Sequence, residues 1–392
     1  MTKEDEYHIG ESPSLPHLFL SFLRLGLTSF GGPAIVAYIR KMAVEQQCWL
    51  DQESFRHGVA LCQTIPGSTA IQNAGYVGLK LRELPGAVVS FIAFGLPAFA
   101  LMAVLSALYT SFHNLPAVVS AFKGLQAIII AIVANATISF GLISLKTYRD
   151  IIITVVAAVA FYAGLHPVLV IVMAALLGLG LYKAEKVAAD DRANSNKPYY
   201  LRQLLLIIVV SAVCYGILFL ADRQLFDLAA VMSWINIFAF GGGFSAIPLM
   251  YHEVVDVRSW MVSSTLMNGI ALGQVTPGPV VITATFIGYV VRGPLGAIIA
   301  TIAMFLPSFI IMLAATPYYE RLRISPYFNK AVTGIVCSFV GLLLSVALRF
   351  AFEVPWEPIR ITLAVAALVA LLCKVDIFYV VLIGTVIAVF VL

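Results

Sequence analysis

The chain has 392 residues, of which 61% are hydrophobic and 11% are charged, with a formal net charge of +4 at pH 7. Soluble domains carry about 25% charged residues, so the composition excludes an ordinary water-soluble enzyme, and nucleic acid is not expected as a partner. Apolar runs of about twenty residues, at 84–111, 125–145, 203–221 and 294–316, are long enough to cross a lipid bilayer. We therefore predict an all-α, polytopic membrane protein.

Residues 1–16 are predicted to be a polar N-terminal segment. They hold Glu4, Asp5, Glu6 and Glu11 rather than the basic start of a signal peptide. The five cysteines of the chain are scattered and form no C-x-x-C pair, which argues against a disulfide framework and against a zinc or iron–sulfur site. Neither a metal nor a cofactor is expected.

Two halves of the chain repeat each other at a constant offset of 210 or 211 residues. Chance does not hold such a register over a hundred residues, so we predict a first transmembrane repeat at 17–183 and a second at 227–392. The matched positions include Phe30 and Phe240, Trp49 and Trp260, Pro66 and Pro277, Gly86 and Gly296, and Pro97 and Pro307.

The segment between the repeats predicts their relative orientation. Residues 184–202 form a polar, basic linker, which the positive-inside rule places in the cytoplasm. Residues 203–222 then form a connecting transmembrane helix with no counterpart ahead of the first repeat. One extra crossing reverses the second half, which predicts inverted repeats, a common architecture of secondary transporters.

Glycine and proline interrupt the apolar runs twice in each repeat. Proline removes a backbone donor and glycine permits positive φ, so the helices are predicted to break or re-enter inside the membrane. Such backbone must be buried or line a polar cavity, and a half-helix that starts there directs its positive end at an anion. Close packing and simple kinks are the alternative explanation. The breaks predicted to bind substrate are Phe30, Gly31, Gly32, Pro66, Gly67 and Ser68, and Gly241, Gly242, Pro277 and Gly278.

Four polar side chains complete the candidate site. Arg24 and Lys123 lie in apolar runs, where a cation either faces a cavity or extends to the headgroups. Gln63 and Gln274 each precede a Pro-Gly pair by three residues. Their amides can donate to an oxyanion or satisfy the broken backbone.

Signals for catalysis are weak. The segment His252–Asp256 reads HEVVD and lacks the second histidine of the H-E-x-x-H metalloprotease motif. The sequence contains no phosphate-binding loop, dinucleotide fingerprint or G-x-S-x-G motif. An intramembrane enzyme is therefore disfavoured.

The segments Leu23–Pro33, Ala271–Tyr289 and Phe305–Phe309 resemble the chromate ion transporter family, in its long-chain, two-repeat form. The resemblance extends from about Leu18 to Leu392. It implies a multi-pass protein of the inner membrane that expels chromate, a sulfate-like tetrahedral dianion, driven by the proton gradient or by anion exchange. This chain departs from the pattern of many members at Val36 and Ser68.

We therefore expect a secondary transporter for chromate or a related oxyanion such as sulfate. An anion channel and a transporter of a different small anion remain alternatives, because a pore also needs broken backbone and cations. A homodimer is left open.

Topology gives the first testable prediction. Reporter fusions after Lys186 and at Leu392 should report opposite sides of the membrane, because the unmatched span inverts the second repeat. Fusions that report the same side would contradict inversion.

Overall fold

The computed structural model describes residues 12–29, 34–182 and 200–392, which fold into helices and contain no strand. Phe30, Gly31, Gly32 and most of the predicted linker lie outside the described residues. Five helical segments are long and apolar enough to cross a membrane: 69–112, 116–144, 201–221, 280–318 and 326–353. The predicted all-α membrane architecture is confirmed.

The described part of the first repeat contains seven helices. Their bounds are α1 Leu15–Thr28, α2 Ala34–Arg40 with a π-helical continuation Lys41–Gln46, α3 Gln52–Thr64, α4 Thr69–Phe112, α5 Pro116–Ser144, α6 Tyr148–Tyr162 and α7 Pro167–Leu181.

A peripheral helix, α8 Leu201–Ala221, leads to the second repeat, where the same series recurs with one short added helix. Its bounds are α9 Arg223–Phe238, α10 Ala246–Tyr251 between a 3₁₀ turn Gly243–Ser245 and a π-helical segment His252–Val257, α11 Ser263–Val275, α12 Thr283–Ala315 after a 3₁₀ turn Val280–Ile282, α13 Tyr319–Ile324, α14 Pro326–Glu353, α15 Pro358–Leu372 and α16 Ile377–Val391.

The two longest helices are each folded into two antiparallel arms. In α4 the backbone leaves the helical region at Arg82 and Glu83, and the arms then meet at Gly78 and Gly86. A Cβ atom on Gly78 would lie 2.2 Å from the carbonyl oxygen of Gly86, so only glycine permits this approach. The arms of α12 meet in the same way at Gly288 and Gly296.

The Pro-Gly breaks form the tips of re-entrant hairpins. Helix α3 runs antiparallel to the first arm of α4, since the Tyr76 hydroxyl donates to the Ser54 carbonyl at 3.4 Å and the Thr69 hydroxyl donates to the Cys62 carbonyl at 3.3 Å. Gly269 of α11 packs likewise against the ring of Phe286 in α12. Gly67 and Gly278, at the two tips, are buried, with φ of 111° and 103°. Re-entrant helices are therefore present in both repeats, as predicted.

The direction of equivalent helices confirms inversion. Helices α5 and α14 occupy the same place in the two repeats. The Ser144 carbonyl at the end of α5 lies 4.0 Å from Cys337 Sγ of α14. Three residues earlier, a Cβ on Gly141 would lie 3.7 Å from Val340. Moving backward along α5 thus moves forward along α14, so the two helices run antiparallel.

The tips bind the opposite repeat. Gly67 N–H donates to the Ala239 carbonyl at 2.7 Å, next to the Phe240 break of the second repeat. Gly278 N–H donates to the Ser29 carbonyl at 3.0 Å, at the C-terminal end of α1 in the first repeat. Each repeat therefore satisfies broken backbone that the other exposes.

Gly67 gives the second testable prediction. A Cβ there would lie 2.1 Å from Ser308 Oγ, and a side chain would also strain the positive φ. Gly67→Ala should therefore cost about 1–3 kcal/mol of stability and lower the melting temperature of the purified protein. Adding Ser308→Ala to the Gly67→Ala variant should restore part of that loss, because it removes the contact with the Ser308 hydroxyl.

The matched control is Gly216→Ala in α8, where an added Cβ meets open space. Equal melting temperatures for Gly67→Ala and Gly216→Ala would show that the tip tolerates a side chain.

Candidate functional site

A cavity of about 660 Å³ lies where the hairpin tip of the first repeat meets the Gly-Gly break of the second. It is bounded by one face each of α2, α3 and α5, by the start of α4 and by the breaks of the second repeat. Its lining includes Arg40, Gln52, Arg56, Val59, Gln63, Ser68, Thr69, Ser139, Phe140, Gly241, Gly242 and Val280.

Long helices begin at the cavity wall without a side-chain cap. Helix α4 starts after Ser68, and the helical segment that leads into α12 starts after Pro279; neither residue caps its helix with a side-chain hydrogen bond. Free N–H groups and the positive end of each helix dipole make such starts favourable for an anion. Gly242, with φ of 106° and ψ of −175°, occupies a conformation that is essentially restricted to glycine.

Two arginines line the accessible side of the cavity. Arg40 is paired with Glu45 at 2.8 Å, and its side chain is 48% exposed. Arg56 is exposed and makes no ion pair within the described parts of the chain. No Asp or Glu is among the residues lining this cavity in the described ranges. Glu45 therefore compensates Arg40, and Arg56 gives the wall a positive charge that no described lining carboxylate compensates.

Four predicted site residues line the cavity together: Gln63, Ser68, Gly241 and Gly242. Pro66 and Gly67 lie directly behind this wall. There the Gln72 amide donates to the Pro66 carbonyl at 2.7 Å and to the Ser308 carbonyl at 3.3 Å. These bonds hold the tip in place against α12.

Gln274, Pro277 and Gly278 lie at the equivalent place in the second repeat, which is closed. All three are buried, and the Gln274 amide nitrogen has no hydrogen-bond partner among the described residues. The second-repeat counterparts of cavity residues are almost fully buried: Leu266, Met267, Ile270 and Phe350 in place of Phe55, Arg56, Val59 and Phe140. We call the accessible side, lined by Arg56, the open vestibule and the side on which these four counterparts are packed the closed vestibule.

Arg24 and Lys123 lie elsewhere. The buried stripe of α1, which is Leu18, Phe22 and Gly26, packs on α4, so Arg24 is exposed on the opposite face of the helix. Arg24 was expected beside the cavity, and the structure places it away from the cavity lining. Lys123 lines a separate pocket of about 140 Å³ near the start of α5.

Sequence reasoning missed the cavity arginines and Ser139. A signal for Arg56 was present, because Gln52, Arg56, Val59 and Gln63 are spaced by four, three and four residues and share one face of α3. This spacing places a polar stripe beside the Pro-Gly break. For Arg40 and Ser139 the sequence carries no comparable pattern, since their exposure depends on how α2 and α5 pack.

Inverted repeats, broken helices and a cationic cavity between them define a multi-pass membrane transport protein. A model of the chromate transporter family matches residues 16–179 and 226–389, one match for each repeat. The chain belongs to the chromate transporter family, which confirms the resemblance and its two-repeat form.

Curated relatives agree with this membership. An uncharacterized transporter of Methanocaldococcus jannaschii is 38% identical over 98% of this chain and 96% of its own length. A probable chromate transport protein of Synechococcus elongatus is 31% identical, covering 86% of this chain and 84% of the relative. The chromate transport protein of Cupriavidus metallidurans is 30% identical, covering 87% and 84%. No solved structure matches the chain.

The cavity gives the third testable prediction. Arg56→Gln should reduce the apparent affinity for the transported anion by about tenfold, because a charged hydrogen-bond donor is lost. Arg56→Lys should have an apparent affinity between those of the wild type and Arg56→Gln, since an ammonium keeps the charge without the guanidinium fork. Initial rates of anion uptake at matched protein abundance measure both variants.

Arg24→Gln is the matched control and should keep wild-type rates. A larger effect for Arg24→Gln than for Arg56→Gln would place the anion outside this cavity.

Proposed function

We propose that the protein is a secondary transporter that moves chromate, or a related tetrahedral oxyanion such as sulfate, across the cytoplasmic membrane. The observation that carries this proposal is the cavity itself. It places two arginines and uncapped starts of long helices at the interface of inverted repeats. Three of the relatives are named as chromate transport proteins, one of them as probable.

The lining suits a tetrahedral dianion. Such an ion exchanges strong hydration for protein donors, and a guanidinium can contact two of its oxygens at once. The Gln63 amide, the hydroxyls of Ser68, Thr69 and Ser139, and the backbone N–H groups at the start of α4 are further donors around the same space. The absence of lining carboxylates among the described residues removes a source of repulsion.

The pairing of an open with a closed vestibule supports alternating access. In an inverted-repeat transporter, one pseudo-symmetric side opens as the other closes around a fixed site. Here Arg56 is accessible while its counterpart Met267 is 1% exposed. The positive-inside rule favours the cytoplasm for the basic pair Arg40 and Lys41 as it does for the linker. The open vestibule would then receive substrate from the cytoplasm, as efflux requires.

The cavity lining also bears on the energy source of transport. The cavity lining contains no Asp, Glu or His among the described residues, so a coupled proton would have to bind elsewhere. Exchange of one anion for another needs no such group. Efflux driven by the proton gradient and anion exchange are therefore both retained and are separable by experiment.

Reconstituted transport gives the fourth testable prediction. Purified protein in liposomes should take up chromate at a rate that saturates with concentration, since a carrier passes through a loaded state. Sulfate and molybdate should compete better than phosphate because they share the charge and shape of chromate. Uptake is measured with and without a pH gradient and with sulfate trapped inside.

Stimulation by internal sulfate alone would assign anion exchange, and stimulation by a pH gradient alone would assign proton coupling. Flux that rises linearly with concentration would favour an anion channel. Absence of any chromate uptake above that of protein-free liposomes would assign another substrate.

A further inference from the structure

The His252–Asp256 segment acquires its missing histidine from the other repeat. His252 and Glu253 lie in the π-helical segment His252–Val257 of the second repeat, and His166 lies in the loop between α6 and α7 of the first. The two histidines are remote in sequence, yet their ring centroids are 4.8 Å apart. One ligand atom from each of His166, His252 and Glu253 lies within 4.8 Å of the other two.

The spacing of these atoms is close to that of a metal site. His166 Nε2 is 3.4 Å from Glu253 Oε1. Ligands around a tetrahedral zinc ion, with bonds of about 2.0–2.1 Å, are separated by about 3.4 Å from each other. His166 Nε2 and Glu253 Oε1 already have this separation. Rotation of the His252 side chain would bring its ring nitrogen into place as the third ligand.

A buried, unpartnered nitrogen points to a missing ligand. His252 is 8% exposed, and its Nε2 atom has no hydrogen-bond partner among the described residues. A buried polar atom without a partner is unfavourable, and coordination would satisfy it. Its other nitrogen, Nδ1, lies 3.8 Å from the Asp256 carboxylate, which Arg349 holds at 2.7 Å. A carboxylate behind the second ring nitrogen is typical of metal-binding histidines.

Other charges around the cluster leave room for a divalent cation. Arg258 lies 3.6 Å from the second oxygen of Glu253, and Tyr251 donates to Glu353 at 2.8 Å. The carboxylates Glu253, Asp256 and Glu353 outnumber the cations Arg258 and Arg349. His166 is 40% exposed, so an ion can reach the site from outside the fold.

We propose that His166, His252 and Glu253 bind a divalent transition metal ion of the zinc class. Two imidazoles and one carboxylate are a known zinc ligand set that leaves a fourth position for water. When His166 coordinates through Nε2, its ring proton lies on Nδ1. Nδ1 then no longer accepts the weak hydrogen bond, at 3.3 Å, that Val168 N–H donates to it. The ion joins a loop of the first repeat to the π-helical segment of the second, beside the closed vestibule. If the proposed transport function holds, the ion stabilises the closed side.

The fifth prediction tests binding directly. Purified full-length protein without a polyhistidine tag is loaded with Zn²⁺, dialysed, and analysed for metal and by calorimetric titration. We expect one tightly held zinc per chain, a rise in melting temperature, and a loss of affinity of at least about tenfold in His166→Ala and in Glu253→Gln. His166→Ala changes a half-exposed loop residue, so it tests binding even if variants of buried His252 fold poorly.

The matched control is His113→Ala, a histidine in the exposed loop between α4 and α5, which should bind zinc as the wild type does. Equal zinc affinity in wild type and His166→Ala, or no zinc retained by the wild type, would overturn the site. These measurements need no transport, so their failure leaves the proposed function untouched.

A second readout links the site to the transport cycle. Zn²⁺ at concentrations that fill the site should slow uptake several-fold in wild type and His113→Ala liposomes and leave His166→Ala unaffected. Inhibition of equal size in all three proteins would show that zinc acts elsewhere and would overturn the stabilising role.

Discussion

The structure depends on broken backbone that must be satisfied inside a membrane. Lipid offers no hydrogen bonds, so a helix that stops at a Pro-Gly pair needs partners from protein. Gly67 and Gly278 find them in the opposite repeat, at the carbonyls of Ala239 and Ser29. These two hydrogen bonds join the inverted halves at their hairpin tips. The cavity is the space beside the one that Gly67 makes with Ala239.

The cavity is chemically asymmetric although the backbone is nearly symmetric. One vestibule presents Arg40, Arg56 and Ser139, and its counterpart presents Tyr251, Met267 and Arg349. In the closed vestibule Tyr251 binds Glu353 and Arg349 binds Asp256, so polar groups there are paired with each other. On the open side Arg40 is paired with Glu45, but Arg56 makes no ion pair among the described residues and is available to an anion. On the other side an anion would have to displace existing pairs.

Much of the fold was predictable because it depends on features local to the sequence. Duplicated Pro-Gly and Gly-Gly pairs mark the breaks, and a single unmatched span implies inversion. Among the site residues, Gln63, Ser68, Gly241 and Gly242 were predicted and lie together at the cavity. Arg24 was expected there and faces outward, because the apolar stripe of α1 that packs on α4 lies on the other side of the helix.

The sequence by itself determined the membrane class, the two repeats, their opposite directions and the positions where helices break, since length, hydropathy, backbone chemistry and charge bias act locally. Only the tertiary structure decided which vestibule is open, which arginines line it, and that His166 lies against His252. Those outcomes depend on contacts between residues far apart in the chain. The same side chain faces lipid, protein or a cavity according to the partner that packs on its helix.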